Sequence, residues 1–396
     1  MTNLPNGTPG NPITIQAENE GNAILTGGLS MAQGNQYLVF QGLRFHDTGQ
    51  KAIVGHHIKF FRNEFKGGPA TGNTVTVAIG TNDFTPGAQY ILMEDNWVHG
   101  YGGRYKILVY NSDSIVLRRV VVRHDGRDPI MDSNPMGDIT VYDSSNVEVQ
   151  NAIAIDDMTG STTNTYTAAF YNVCNNTTAT PSTNHFRRGV MAINPKGYLM
   201  GTEGQCATSN LHVEDAVLFG GNFGVSQLSA TNPQYRRLTI ISPSGHGVGV
   251  YGGTGSSFSD IIVRGAGGRA FDGITPTNSV AFANAGGNTG GTIIDPFTNG
   301  LSYLPRIEAG SVLASGGTGG GQRGAQIVKR IGEPGTLYGE TGYSATTTTD
   351  LWPFPNEARI KKEMCTDAGI TRGFCATTGS LSAYIFSILG TASPYP

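Results

Sequence analysis

The sequence predicts an all-β solenoid in which short strands stack coil upon coil, and three observations predict it. A phrase recurs: Lys106-Ile107-Leu108-Val109-Tyr110-Asn111 is answered by Asp138-Ile139-Thr140-Val141-Tyr142-Asp143, and again by Thr167-Ala168-Ala169-Phe170-Tyr171-Asn172. Between the copies lie residues 114–123 and 146–155, offset from each other by the same spacing as the first two copies. These runs alternate apolar and polar residues at strand length, without helical spacing between them, at a period typical of repeat architectures. The composition agrees: 57 of 396 residues are Gly and only 14% are charged, against roughly 7% and 25% in ordinary globular chains. Tight corners and a high strand content account for both. One coil cannot bury its inner face alone, whereas coils stacked about 4.8 Å apart can.

Composition also excludes whole classes of function. A net charge of -3 with no basic run argues against a dedicated nucleic-acid binder. No apolar stretch is long enough for a bilayer-crossing helix, so no membrane span is expected. Met1-Thr2-Asn3-Leu4-Pro5 lacks the basic start and apolar middle of a secretory leader; the expectation is a mature exported domain, secreted or held at the cell surface. Four cysteines, Cys174, Cys206, Cys365 and Cys375, have no C-x-x-C spacing for zinc or redox work. In an oxidising compartment Cys365 is expected to pair with Cys375, and Cys174 with Cys206 across what reads as the longest insertion.

Along the chain, residues 9–28 read as two strands around a turn, and Tyr37-Leu38-Val39-Phe40-Gln41-Gly42-Leu43-Arg44-Phe45 opens the first full coil. This opening, over residues 7–65, resembles that of the pectin-lyase-like right-handed parallel β-helix proteins, nearest to polysaccharide lyases of the alginate lyase and chondroitinase B type. It is also similar to secreted bacterial β-helix repeat proteins. The resemblance implies a right-handed, single-stranded parallel β-helix. It further implies a lysine base, an arginine, and a calcium ion held by acidic side chains and an Asn. No stretch here matches the lyase catalytic motif, so no catalytic residue is carried over.

Residues 1–285 read as β-helix coils. Aligning them places Phe45, Phe65, Val98, Val122 and Ala154 in one inward column, and their successors His46, Lys66, His99, Arg123 and Ile155 outward, because strand side chains alternate. Later coils are leaner, with Leu218, Ile240 and Val263 recurring at a shorter and nearly constant spacing. The longer loops fall in the first half, at 67–73, 80–88, 100–104, 126–137 and 158–166. In residues 286–396 the repeat fades into Gly-rich loops and a short C-terminal helical cap within the same domain. Asn356 is expected to cap a helix over 357–364, and Leu381, Tyr384, Ile385, Ile388 and Leu389 share a helical face stopped by Gly390. Covering the open solenoid end is the expected task of this tail.

Candidate chemistry follows from the outward columns. His46, Lys66, His99 and Arg123 form a basic stripe, extended by Arg104, Lys106, His124 and Arg127, with acidic groups at its edge. Elimination on a uronic acid needs a base beside the carboxylate and a cation to neutralise it: Lys66, His99 or His124 for the first, Arg104, Arg123 or Arg127 for the second. Tyr110, Tyr142 and Tyr171 are expected to stack outward as a platform for sugar rings, with Asn111, Asp143 and Asn172 at the bend. Asp125, Asp128, Asp132, Asp156 and Asp157 offer carboxylates for calcium (Ca2+). Hydrolysis would instead need two or three carboxylates facing one groove, for which Asp138, Asp143, Asp156 and Asp157 are available. The leading expectation is an exported protein that binds an acidic polysaccharide and cleaves it by β-elimination. Its rival is a non-catalytic structural protein, an adhesin, spike or filament subunit capable of self-association.

Overall fold

The computed structural model describes residues 4–46, 49–67, 75–81, 87–101, 104–125, 136–157, 167–175, 182–195, 197–366 and 371–396. The chain forms a single-stranded parallel β-helix with three strands per coil, right-handed as parallel crossovers almost always are. The first sheet stacks Gly55–Phe61, Ala88–Glu94, Asp113–Arg118, Ser145–Gln150 and Thr183–Arg188. The second stacks Glu64–Gly67, Trp97–Gly100, Val121–Val122, Ile153–Ile155 and Met191–Ile193, and the third Val75–Ile79, Tyr105–Tyr110, Met136–Tyr142, Thr167–Cys174 and Tyr198–Gly204. Higher up, Thr208–Phe219 and Gln234–Ile241 run unbroken from the first sheet into the second. No helix among the described residues is long and apolar enough to cross a membrane.

The first-to-second bend turns on one left-handed residue per coil: Arg62 (φ 53°), Asp95 (φ 58°), Arg119 (φ 49°), Asn151 (φ 49°), Gly189 (φ 62°) and Asp215 (φ 54°). Asn and Asp tolerate that backbone region better than most side chains, and Gly freely. Buried Asn63 and Asn96 supply hydrogen bonds at this corner: Asn63 Oδ1 accepts from Leu43 N and Asn96 Oδ1 from Asn63 N, both at 2.9 Å.

The inward column is as the alternation predicts. Phe45, Phe65, Val98, Val122 and Ala154 are in ladder register and buried in one core, which continues through Ala192, Leu218, Ile240 and Val263. Phe45 and Phe65 stack at 4.9 Å. In the third sheet the alignment slips by two positions. Ile139 pairs with Phe170 and Val141 with Asn172, so Asn172 is not at the bend but within the coil, where its Oδ1 accepts from Arg187 at 2.9 Å. The bend after Asp143 is matched by Cys174.

Both expected disulfides are present, Cys174–Cys206 and Cys365–Cys375. The segment between the first pair is a full coil and not an insertion. Cys174 pairs in register with Gly204, and Cys206 N donates to Cys174 O at 3.0 Å, so this bridge staples one coil to the next.

The tail departs from expectation. Only its first residues meet the last coil, where Ala270 N donates to Gly287 O and Ala281 N to Thr292 O; most of it lies along the side of the solenoid. Trp97, Val121, Ile153, Ile155, Met191, Ile193, Val217, Ile241, Ile262 and Val280 make an apolar strip on the outer face of the second sheet, and Leu301, Leu313, Ile327, Trp352, Phe354, Ile360, Phe374 and Phe386 bury it. Helices Glu357–Met364 and Leu381–Ser387 form where the periodicity places them. Ser380 caps the second through Ala383 N, whereas Asn356 sits at φ 59° and makes no side-chain cap. Leu337 and Tyr343 cover Leu92 and Val116 on the first sheet. Buried Arg118 fastens this stretch by donating to Glu333 O (2.7 Å) and Tyr343 O (2.8 Å).

An Asp at outward Ile153 is therefore expected to be about as costly as one at inward Val122, on the order of 3 kcal/mol or more, since both bury an unpaired charge. Chemical denaturation checks this. An Ile153→Asp protein within about 0.5 kcal/mol of wild type, the usual range for surface changes, would show the strip to be open in solution.

Candidate functional site

The basic stripe exists as a column on the second sheet but is not an open surface. Glu64, one position before inward Phe65, points to the same outer face and is fully buried. Its carboxylate accepts from Arg44 Nε, from His46 at 2.6 Å and from His99 at 2.8 Å. Burial alone would raise the Glu64 pKa. Hydrogen bonds from His46, His99 and Arg44 outweigh it and hold the group far below the usual carboxylate range. Burial alone would lower His99; Asp125 and Glu64 outweigh that and raise it. At 3.8 Å from Asp125 its Nδ1 is in charge contact and not hydrogen-bonded. Fully buried and with its Nε2 held by Glu64, His99 presents no ring nitrogen to a substrate at the surface.

Arg123 is likewise taken up. It donates to Asp125 at 2.6 and 3.1 Å, reaches Met364 O, and lies 2.6 Å from Cys375 Sγ. Arg372 of the tail meets the same Asp125 at 2.8 Å and His124 O at 3.3 Å. Asp156 accepts from Phe374 N (2.7 Å), Tyr384 Oη (2.8 Å) and Asn194 Nδ2 (3.0 Å). Arg123, Asp125 and Asp156 thus anchor the tail, and His99 is held between Glu64 and Asp125, which corrects the open surface expected of them for catalysis and calcium binding. Lys66 and His46 stay half-buried beside this network and His124 is buried within it. Arg127, Asp128 and Asp132 lie outside the described residues.

Two of the remaining carboxylates meet at the corner between the second and third sheets. Asp157 accepts from His124 N at 2.9 Å, and neither oxygen of Asp138 meets a hydrogen-bond donor among the described residues. Burial, together with the charge of Asp157, raises Asp138 strongly; burial pushes Asp157 up to about 6. Carboxylates this close do not both ionise, so the pair shares a proton. Lys106, buried with its Nζ 2.7 Å from Gly100 O, is drawn down to about 8 by burial. Asp143 lies under the bend, accepting from Asn175 N at 2.7 Å. The sulfurs near it belong to the Cys174–Cys206 disulfide, so no metal ligand set arises there. Among the described residues, Asp125 and Asp156 are thus committed to tail donors and Asp157 to His124 N and Asp138, and these three do not form a calcium cage.

The outer face of the third sheet is different in kind. Among the described residues, its side-chain clusters contain nothing from the tail. Tyr110 and Tyr142 are ladder partners with rings 5.9 Å apart, and Tyr142 Oη meets Tyr105 Oη at 2.9 Å. Arg104 lies over the Tyr105 ring at 4.9 Å. With Gln50, Leu108 and Asn175 these side chains line a groove of about 570 Å³. Aromatic residues continue up the face through Tyr198, Phe223 and half-exposed Tyr251. Tyr171 pairs with Thr140, not Tyr142, and is buried, so it is no part of the platform. Sequence reasoning missed Glu203. The ladder Tyr142–Val173–Glu203 puts it on this face. Its Oε2 meets no donor among the described residues, and burial raises its pKa while the charge of Arg104 opposes the rise. The signal was the two-position register shift, which alone brings Glu203 into line.

The chain matches no family model and no curated protein. Among the solved structures similar to it are two catalytic domains of a GH87 alpha-1,3-glucanase. One, in complex with tetrasaccharides, is 11% identical over 69% of this chain and 50% of that one, with a TM-score of 0.35. The other, in complex with nigerose, is 10% identical over 69% and 52%, with a TM-score of 0.32. The chain thus spans about half the length of these structures, and likeness at this level carries no argument about activity.

The shared proton makes a pH prediction. Both carboxyls are raised above their unfolded values, so their stabilisation is complete below about pH 4; the part due to Asp157 is lost as pH rises through about 6 and the part due to Asp138 at higher pH. Asp157→Asn keeps an acceptor for His124 N and removes the like charge. The variant should melt no lower than wild type at pH 8 and should lose the pH 5 to 7 dependence of the melting temperature. A variant that melts well below wild type at pH 8 would count against the shared proton.

Proposed function

We propose that the protein binds a polysaccharide along the outer face of the third sheet and cleaves it by β-elimination at uronic acid residues. The observation that carries this reading is the groove at Tyr105, Tyr110 and Tyr142 on the face clear of the tail, with the cation Arg104 and the carboxylate Glu203 beside it among the described residues. Aromatic side chains present flat apolar surface with a polar tip, suited to the faces and hydroxyls of sugar rings. Arg104 would pair with the uronate carboxylate. Glu203, whose raised pKa makes it a stronger base than an ordinary carboxylate, would remove the proton next to it. That C–H bond breaks, a double bond forms to the neighbouring ring carbon, and the glycosidic oxygen leaves with a proton from solvent. Glu203 is the carboxylate whose charge reaches both Arg104 and Tyr105. Asp272, on the same face, stands several coils higher and is paired with Arg269 at 2.6 Å. Hydrolysis asks for two carboxylates across one groove; among the described residues this spacing supports elimination. The two disulfides suit an oxidising compartment and support export.

The test is incubation with alginate, pectate and glycosaminoglycans, reading binding by affinity electrophoresis and cleavage by the ultraviolet absorbance of unsaturated ends. Glu203→Gln should lose cleavage by a factor of at least about 100, as general-base removal typically does, while still binding. Tyr110→Ala and Arg104→Ala should weaken binding about tenfold, a loss near 1.4 kcal/mol. Wild type that binds none of these polymers would remove the reading and leave the structural rival, an adhesive or filament-forming protein.

A further inference from the structure

A second cleft lies on a different face, between the first sheet and the tail. Two hollows of about 490 and 310 Å³ share Arg188, Glu214 and Arg236 and so run together. Ladder register explains the arrangement. Gln150, Arg188, Glu214 and Arg236 succeed one another on neighbouring coils, and beside them Glu148, Phe186, His212 and Gln234 do the same. Phe186 and His212 stack at 4.9 Å and 12°. Tyr343 and Ser344 of the tail form the opposite wall.

The charges here are not closed off as they are around Glu64. Arg237 is closely paired, its Nε and Nη2 meeting Asp215 at 2.9 and 2.6 Å and its Nη2 Glu214 at 2.6 Å. Arg236 next to it is half-exposed, and its carboxylate neighbours stand too far for hydrogen bonds, Glu214 at 3.8 Å and Asp260 at 3.7 Å. Arg188 spends one nitrogen on Glu148 (3.1 Å) and Ser344 O (2.5 Å). Its other nitrogens meet no acceptor among the described residues. The two guanidinium groups sit two coils apart, roughly 10 Å, with the edge of the Phe186–His212 stack beside them. Guanidinium groups recognise carboxylate and sulfate oxygens in pairs, and a stacked aromatic pair offers a sugar ring an apolar bed. We propose that this cleft is a second saccharide site, taking a short anionic oligosaccharide whose acidic groups meet Arg188 and Arg236.

The experiment is calorimetric titration of the full chain with tetragalacturonate, a heparin tetrasaccharide and neutral maltotetraose. An anionic probe should show a class of sites that Arg236→Ala weakens at least tenfold, that rising salt weakens, and that Arg104→Ala leaves unchanged. Arg236 is half-exposed, so its variant is expected to fold; an unchanged melting temperature confirms it. If Arg104→Ala removes all binding and Arg236→Ala none, this proposal is overturned and the third-sheet groove stands. If the reverse holds, the cleft stands and the groove falls. Equal binding of maltotetraose would overturn the anionic specificity.

Discussion

The apolar strip on the outer face of the second sheet is the constraint on which the rest of the molecule depends. A solenoid needs one buried side per strand, and here a second is buried as well. Strands such as Ile153–Ile155 are apolar at every position, which in water would be a liability that exposed sheets avoid. The tail removes it. Once Trp352, Phe354, Phe374 and Phe386 lie against the strip, the tail must also cross the polar coils below, and the charges found there follow from that crossing. Trp97 shows the join: its ring is packed in the strip, while its Nε1 donates to Glu363 of the tail helix at 3.0 Å.

The polar coils show how far alternation can be read as exposure. The sequence pattern places His99 and Arg123 outward, and outward they are. What it leaves out is that Glu64 and Asp125 share their face and that Met364, Arg372 and Cys375 cover it. The contacts of Arg123 with the tail have no local signature, because no periodicity links a strand to a segment so far along the chain. The helices of the tail were legible from their own spacing; their docking site was not. All-apolar stretches such as 153–155 and 191–193 were the available hint, since a half-buried strand should have alternated.

A different limit governs the third sheet. Thr167-Ala168-Ala169-Phe170-Tyr171-Asn172 resembles the earlier copies, and aligning tyrosine with tyrosine is natural, yet the ladder sets Asn172 against Val141. A slip of one position would have turned apolar side chains outward and been visible at once. A slip of two keeps every face correct and changes only the neighbours. Inside and outside could therefore be read from the sequence, as could the disulfide partners, whereas the vertical columns beyond Tyr142 could not. Glu203 became visible only with the register.

The same geometry explains why the two open grooves differ in charge. On the third sheet, Tyr105, Tyr110 and Tyr142 lie together with Arg104 and Glu203 beside them, so among the described residues the surface is aromatic first and ionic second. On the first sheet the bend residues Asp215 and Arg237 pair across adjacent coils. That pairing neutralises one arginine of two consecutive ones and leaves Arg236 without a close partner. Parallel in-register stacking repeats each position every coil, so like side chains tend to fall in line and repel. Alternating Arg188, Glu214 and Arg236 up one column relieves that repulsion, and because the sequence of signs ends on arginine at both sides of Glu214, the column keeps an excess of positive charge facing the cleft.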